Sequence, residues 1–416
     1  MDTGNNQQTA KHQKRKIVFL VPGYLDLYKR KGVSELITDR DEFGYFDMVY
    51  TVHFPAPRDT VIRLNKRHTV VEFCRPFHDV LGKFPGARYV SNLLMLFTIV
   101  IHMRRLIMRE HVTLIRSVEP NLHGFCAYLL SRLTGVPFCI SIHTDFDLRY
   151  RLGGSKSVPV YFGSRWLTEK LMLFNLRKAK LVIIPLRGYL VPSLVDKGIS
   201  VSKIRVTKLA LDFDKLDRIF EQHKKDIRKT YHIGNKKLVL FTGRLHPENY
   251  IEDIIELSAM LRKNQDILIC LLGMDEDGYY GKLINEKNAE NVRYFGSLPR
   301  WEALLFKKTA EVNLCVMGGL SLLESAYLAK PIVCYDVEWH SDLIKNYESG
   351  VLVKEHDIKG LKDSITYLLD HPAVARRMGK SAREVILREY SRRQISKQLV
   401  GYYGEIVQNK AHDKAV

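Results

Sequence analysis

The run "MGGLSLLESAYLAKPIVCYD" (317–336) sets two glycines, Gly318 and Gly319, ahead of an apolar helical pattern that carries one glutamate, Glu324. Glycines at a helix start let a ligand come close to the backbone, where unpaired N–H groups and the helix dipole favour anions such as phosphate. A carboxylate one turn on, beside Leu322, Leu323 and Ala326, can accept hydrogen bonds from two vicinal hydroxyls. An ordinary tight turn and a helix-surface charge are the plainer readings of the same residues. Arg244, in "FTGRL" (241–245), follows an apolar run, and a rigid guanidinium on a strand-end loop suits either two phosphate oxygens or a surface ion pair. His143 follows "PFCISI", with Asp145 and Asp147 close behind; as a neutral imidazole it can bond a hydroxyl or carbonyl, or be structural. Lys29, Arg30 and Lys31, after the first apolar run, either meet an anionic acceptor or stay solvated.

These residues need strand ends to stand on. Continuous apolar runs at 16–24, 46–52, 68–74, 112–118, 137–143 and 180–186 predict buried parallel strands, with helical patterns such as "LHGFCAYLLSRLTG" between them and Gly135 as a C-cap. The alternation restarts at 236–245 and continues through 266–273, 291–298, 311–316, "PIVCYD" and 350–354. Two doubly wound α/β units are therefore predicted, residues 1–210 and 211–390, followed by a helical tail, 391–416, able to cross back to the first. Ligands of open α/β sheets sit at the carboxyl ends of strands, so the cleft between the units is the place to look. "DFD" occurs at 145–147 and 212–214, and both copies read as loop.

With 416 residues and 46% hydrophobic content the chain can bury two cores. Its first fifteen residues are polar and basic, which predicts no secretory signal and a cytosolic setting. The six cysteines stand singly, so buried thiols are expected rather than disulfides or a metal centre. The longest apolar stretch, 89–107, is broken by Ser91, Asn92, His102, Arg104 and Arg105, which reads as too short for a bilayer span of roughly 20 apolar residues. Residues 1–210 hold 33 Lys+Arg against 16 Asp+Glu, a net +17; residues 211–416 hold 32 against 30, a net +2. Such an asymmetry favours polyanions near the first unit, and an anionic leaflet fits better than nucleic acid, for which no reader motif is visible.

"FTGRLHPEN", "YFGSLPRWEALLFKKTAEVNLCV", "GGLSLLESAYLAKPIVCYD" and the run from "SGVLVKEHD" to "LREYS" follow one another across 236–391. In that order they strongly resemble the retaining glycosyltransferases of family 4, which have the GT-B fold of two facing Rossmann-like domains. The first half resembles that family more loosely, through "LHGFCAYLLSRLTGVPFCISIHTDFD" (122–147). The resemblance implies that Arg244, beside Gly243, meets the donor pyrophosphate. It implies that Gly318, Gly319 and Leu320 open the phosphate-facing helix, that Glu324 is the ribose-binding second glutamate of E-x7-E, and that His143 lies over the donor sugar. The segment after the first strand occupies the place of the family's glycine-rich loop, with only Gly32 in common and with Lys29, Arg30, Lys31 and Asp145 on the acceptor side.

Three positions depart from that pattern. Val316 stands where the first glutamate of E-x7-E belongs, Asn249 where a second phosphate-binding lysine is usual, and Glu338 and Trp339 in place of a glycine pair. Either Glu338, His340 or the two glycines take over the sugar contacts, with Asn249 donating a hydrogen bond to phosphate, or the donor site has decayed. The resemblance thus implies a metal-independent transferase with no bound cofactor, moving a sugar from a UDP- or GDP-linked donor to a glycan or lipid-linked acceptor with retention, in cell-surface polysaccharide or glycolipid synthesis. Arg244, His143 and Asn249 would be its catalytic groups, and a peripheral position on the inner membrane face is expected. A nucleotide-sugar epimerase, or a non-catalytic binder of sugars or polyanions, is the alternative.

Overall fold

The computed structural model describes residues 14–30, 33–75, 87–158, 160–185, 190–287 and 289–412. Strands β1 (Lys16–Val21), β2 (Met48–Ala56), β3 (Thr60–Asn65), β4 (His68–Cys74), β5 (Leu114–Ser117), β6 (Phe138–Ser141), β7 (Leu181–Ile184) and β8 (Ile204–Val206) form one sheet, ordered β3-β4-β2-β1-β5-β6-β7-β8. Strands β9 (Lys237–Thr242), β10 (Ile267–Leu272), β11 (Val292–Tyr294), β12 (Val312–Leu314), β13 (Ile332–Tyr335) and β14 (Val351–Val353) form the second, ordered β11-β10-β9-β12-β13-β14. The central strands are continuous apolar runs because helices cover both faces of a parallel sheet; all six residues of β10 are buried.

Two strands escaped the sequence reading. β3 alternates half-buried and exposed residues and pairs antiparallel with β4, so the first sheet is parallel except at this edge. β8 has three residues, too short for a pattern. The two "DFD" triplets are not loops: Asp145 caps the helix Phe146–Ser157, accepting from the N–H groups of Asp147 and Leu148 at 2.9 and 3.0 Å, and Asp212 caps Phe213–Gln222 through Lys215 N–H at 3.0 Å. An Asp at the N-cap satisfies first-turn donors, and a second in the first turn suits the dipole. The helix Leu122–Thr134 closes on Gly135, left-handed at φ 67°.

The apolar stretch near residue 90 is also longer than its sequence suggested. It forms a 24-residue helix, Ala87–Glu110, and Val90–Glu110 is long and apolar enough to cross a bilayer by length and composition. Met95, Ile99, Met103 and Ile107 are nevertheless sealed in the first core, which the helix could not leave without exposing several fully buried side chains, each at about 1.5–3 kcal/mol. It is a domain helix with one bare face.

The chain crosses between the units twice, side by side. Leu211 N–H donates to Tyr390 O at 2.9 Å and Arg392 N–H to Leu211 O at 3.0 Å. The last helix, Arg392–His412, then lies on the first unit, with Ile395, Leu399, Tyr403 and Ile406 in one cluster with Ile17, Phe19, Leu114 and Ile183. The Tyr403 hydroxyl bonds the guanidinium of buried Arg116, which also donates to Ser141 Oγ at 2.9 Å.

Tyr403→Ala should therefore destabilise the first unit by roughly 3–5 kcal/mol in denaturant unfolding, the usual cost of removing a large aromatic from a core. Tyr403→Phe should cost less, about 1–3 kcal/mol, through the donor it leaves unmet on Arg116. Equal stability of both variants with the native chain would show that the last helix is not part of this core.

Candidate functional site

A cavity of about 390 Å³ lies between the units. Its walls come from the carboxyl ends of the second sheet: Gly243 and Arg244 after β9, Gly273 after β10, Ser297 after β11, and Gly319 with Ser321 after β12. Val33 and Arg149 close it from the first unit. Backbone contact between loops sets its floor. A Cβ on Gly273, at φ 149°, would lie 1.7 Å from the Gly243 carbonyl oxygen, so no side chain fits there.

Gly318 and Gly319 differ in what holds them. A Cβ on Gly318 would meet Leu322 Cβ at 2.7 Å, so its need for glycine is internal to the fold; one on Gly319 would meet nothing within 4 Å, because Gly319 faces the cavity. Gly319 starts the helix Leu320–Tyr327 without a side-chain cap, leaving first-turn N–H groups for a ligand. His340 is wholly buried and absent from the cavity wall. Its Nδ1–H donates to Tyr335 O at 2.7 Å, and Nε2 accepts from Gly318 N–H at 3.0 Å. Burial is the main cause of its lowered pKa, so the ring is a neutral tether behind the glycine loop and reaches a ligand only through that loop.

Glu324 is 6% exposed and lines the cavity, but two cations that the sequence reading passed over already hold it. Lys307 Nζ donates to Oε2 at 2.6 Å; Arg300 donates to Oε1 at 2.9 and 3.2 Å. Burial alone would raise its pKa, yet Lys307 and then Arg300 outweigh that and keep the carboxylate ionised. Both cations stand seven residues apart on the helix Arg300–Thr309, two turns along one face, which was the available signal. Val316, in the position of the missing glutamate, is fully buried among apolar side chains.

Arg244 lines the cavity with its guanidinium paired to buried Glu248, while Asn249 donates from its side-chain nitrogen to Arg244 O at 2.7 Å and so braces that loop. Glu248 also faces Arg149 Nη1 at 3.5 Å, and Arg149 Nε lies 3.5 Å from Glu338 Oε1. Glu338 is in the left-handed region at φ 49°, off the cavity wall, and burial raises its pKa against the pull of Arg149. Asp145, as a helix cap, is turned to its own backbone. His143 is exposed on one side but walled by protein on the others; that crowding, followed by Arg116 and Arg40, lowers its pKa and favours the neutral ring. It does not line this cavity. Lys29 and Arg30 are exposed, paired with Asp26 and the Tyr24 hydroxyl, and Lys31 and Gly32 lie outside the described residues.

Two facing α/β units with a cationic, glycine-floored cavity at strand ends define a class of fold that similar proteins identify. Residues 222–385, within the second unit, match the family model described as Glycosyl transferases group 1. An alpha-D-kanosaminyltransferase of Streptomyces kanamyceticus is 24% identical over 332 residues, covering 72% of this chain and 81% of that protein. Sucrose-phosphate synthase from Thermosynechococcus elongatus has a TM-score of 0.73 at 16% identity, over 95% of this chain and 100% of that one. Anabaena HepE in complex with UDP and glucose has a TM-score of 0.68 at 13% identity, over 94% and 100%. The fold is GT-B.

The Glu324 cluster has an acid limit. Because its pKa is lowered from 4.5, the stability it contributes is present above that pH and is lost as pH falls through the folded-state value. Lys307→Ala should cost about 3–5 kcal/mol, as breaking a buried pair does, and pH titration of stability should then lose part of its acid slope. An unchanged slope would show that the pair carries no linkage.

Proposed function

We propose that this chain is a metal-independent, retaining glycosyltransferase that takes a UDP- or GDP-linked sugar in the interdomain cavity and passes the sugar to a glycan or lipid-linked acceptor. The observation that carries the reading is convergence. One cavity gathers an arginine, an uncapped helix start at an open glycine, and a buried ionised carboxylate. An anionic diphosphate meets the first two, and the vicinal hydroxyls of a ribose suit the third. As the glycosidic bond breaks, negative charge grows on the departing diphosphate, which Arg244, released from Glu248, and the Gly319 helix N–H groups would stabilise. The match to the group 1 family model supports the reading, as does likeness to a neighbour bound to UDP and glucose.

An acceptor on a membrane is part of the same proposal, in a cytoplasmic enzyme of polysaccharide or glycolipid synthesis held at the inner face. The bare face of Ala87–Glu110 presents Val90, Leu93, Leu94 and Phe97 at one-turn spacing, with Phe97 66% exposed, and continues into exposed Arg104, Arg105 and Arg109. Apolar residues beside arginines suit an anionic headgroup layer.

UDP, GDP and their sugars should raise the melting temperature of the native chain and be slowly hydrolysed by it. Arg244→Ala should lose most of both effects, and Gly319→Ala should weaken them while melting close to the native chain, since its added Cβ meets nothing within 4 Å and faces the cavity. No response to any nucleotide would leave a non-catalytic binder as the better reading. For the membrane, flotation with phosphatidylglycerol vesicles should fall sharply in Leu93→Glu/Phe97→Glu, and absence of binding by the native chain at low salt would remove that part.

A further inference from the structure

We infer that Arg149, from the first unit, is the second phosphate-binding cation of the site, supplying from across the cleft the charge that Asn249 lacks. The inference rests on the reading of the cavity as a nucleotide-diphosphate site and names which side chain completes it.

The placement is built rather than incidental. Arg149 lies on the helix Phe146–Ser157, which starts at the Asp145 cap and belongs in sequence to the first unit, yet Leu148 and Leu152 of that helix pack against the second core. Arg151 adds two contacts of 3.1 Å to Glu355, which also accepts from the Tyr250 hydroxyl at 2.7 Å. The helix is therefore docked on the second unit, and Arg149 is carried into the cavity wall with 19% of its side chain exposed.

The charges there call for an anion. Arg149, Arg244, Arg300 and Lys307 line the cavity against two carboxylates, Glu248 and Glu324. Lys307 and Arg300 are committed to Glu324 at short range. Arg244 and Arg149 instead share Glu248, and the Arg149 contacts are long, 3.5 Å to Glu248 and 3.5 Å to Glu338. Glu338 lies off the cavity wall and burial raises its pKa, so on the wall itself one carboxylate stands between two guanidiniums, beside the Gly319 helix start. A diphosphate can take up both guanidiniums together, with Glu248 keeping them apart until it arrives. Asn249 lines the cavity too but carries no charge, and one of its two amide N–H groups is given to Arg244 O.

The test is calorimetric titration of the full chain with UDP and with UMP, and likewise GDP and GMP, comparing native protein, Arg149→Gln, Arg149→Lys and Arg244→Ala. A phosphate contact predicts that Arg149→Gln weakens the diphosphate about tenfold or more while the monophosphate changes little, and that Arg149→Lys keeps most of the preference. Thermal melting of each variant reports whether the helix stays docked. An equal loss for both nucleotides in Arg149→Gln, or no loss with Arg244→Ala still impaired, overturns the assignment and leaves Arg149 as an interdomain strut. Failure of the native chain to bind any of the four nucleotides overturns the donor-site reading itself.

Discussion

The bonded double crossing at Leu211 and Tyr390–Arg392 is the constraint on which the site depends, because it is where the two units are joined by backbone hydrogen bonds between their connecting segments. Two connections tied to each other restrict relative motion more than one free linker would, and a hinge confined to so few residues turns the units as bodies. The last helix anchors the second connection by burying Tyr403 against Arg116 and donating from Ser396 to Glu42 at 2.5 Å. Since Val33 and Arg149 come from one side of this joint and the remaining cavity wall from the other, the shape of the cavity is set by the joint as much as by either sheet.

Within that frame the charges follow one rule: each carboxylate on the cavity wall lies between two cations. Glu324 separates Lys307 from Arg300, and Glu248 separates Arg244 from Arg149. The arrangement lets four like charges share a small space before any anion is bound, at the cost of desolvating each carboxylate. The two halves differ in tightness. Both contacts of Glu324 are short and enclosed, suited to holding shape; around the equally buried Glu248 the Arg149 contact is long, 3.5 Å, and Arg244 is partly exposed, which suits an exchange of partners for a ligand.

Much of the fold was legible because parallel strands under two helical layers must be apolar throughout, as in "ILICLL". The edge strand β3 was not, since a strand exposed on one side reads as an unremarkable polar alternation until its partner is known. That Arg244, Gly319 and Glu324 would share one cavity wall was legible because Arg244 comes two residues after a strand, Gly319 opens a helix, and Glu324 is the one charge in that apolar helical run. Arg300 and Lys307 left a helical spacing that could have been noticed. Arg149 left none: it projects from a helix whose apolar residues pack on the other unit, and a contact between units has no local period.

Position in a motif and contact with a ligand are separate properties, and His340, Asn249 and Asp145 show why. Both nitrogens of His340 are used within the protein, so it can influence a bound anion only by holding the Gly318 N–H and hence the direction of the loop. Asn249 fixes the Arg244 carbonyl, and Asp145 fixes the first turn that carries Arg149. His340 and Asp145 act on the site through backbone, at one remove, while Asn249 also stands on the cavity wall. The charges that would meet a diphosphate come instead from Arg244 and Arg149, whose guanidiniums share Glu248, so a domain rotation that drew Arg149 back would remove one cation from the cavity wall and free Glu248 and Glu338 of it, leaving the covalent motif of the second unit as it is.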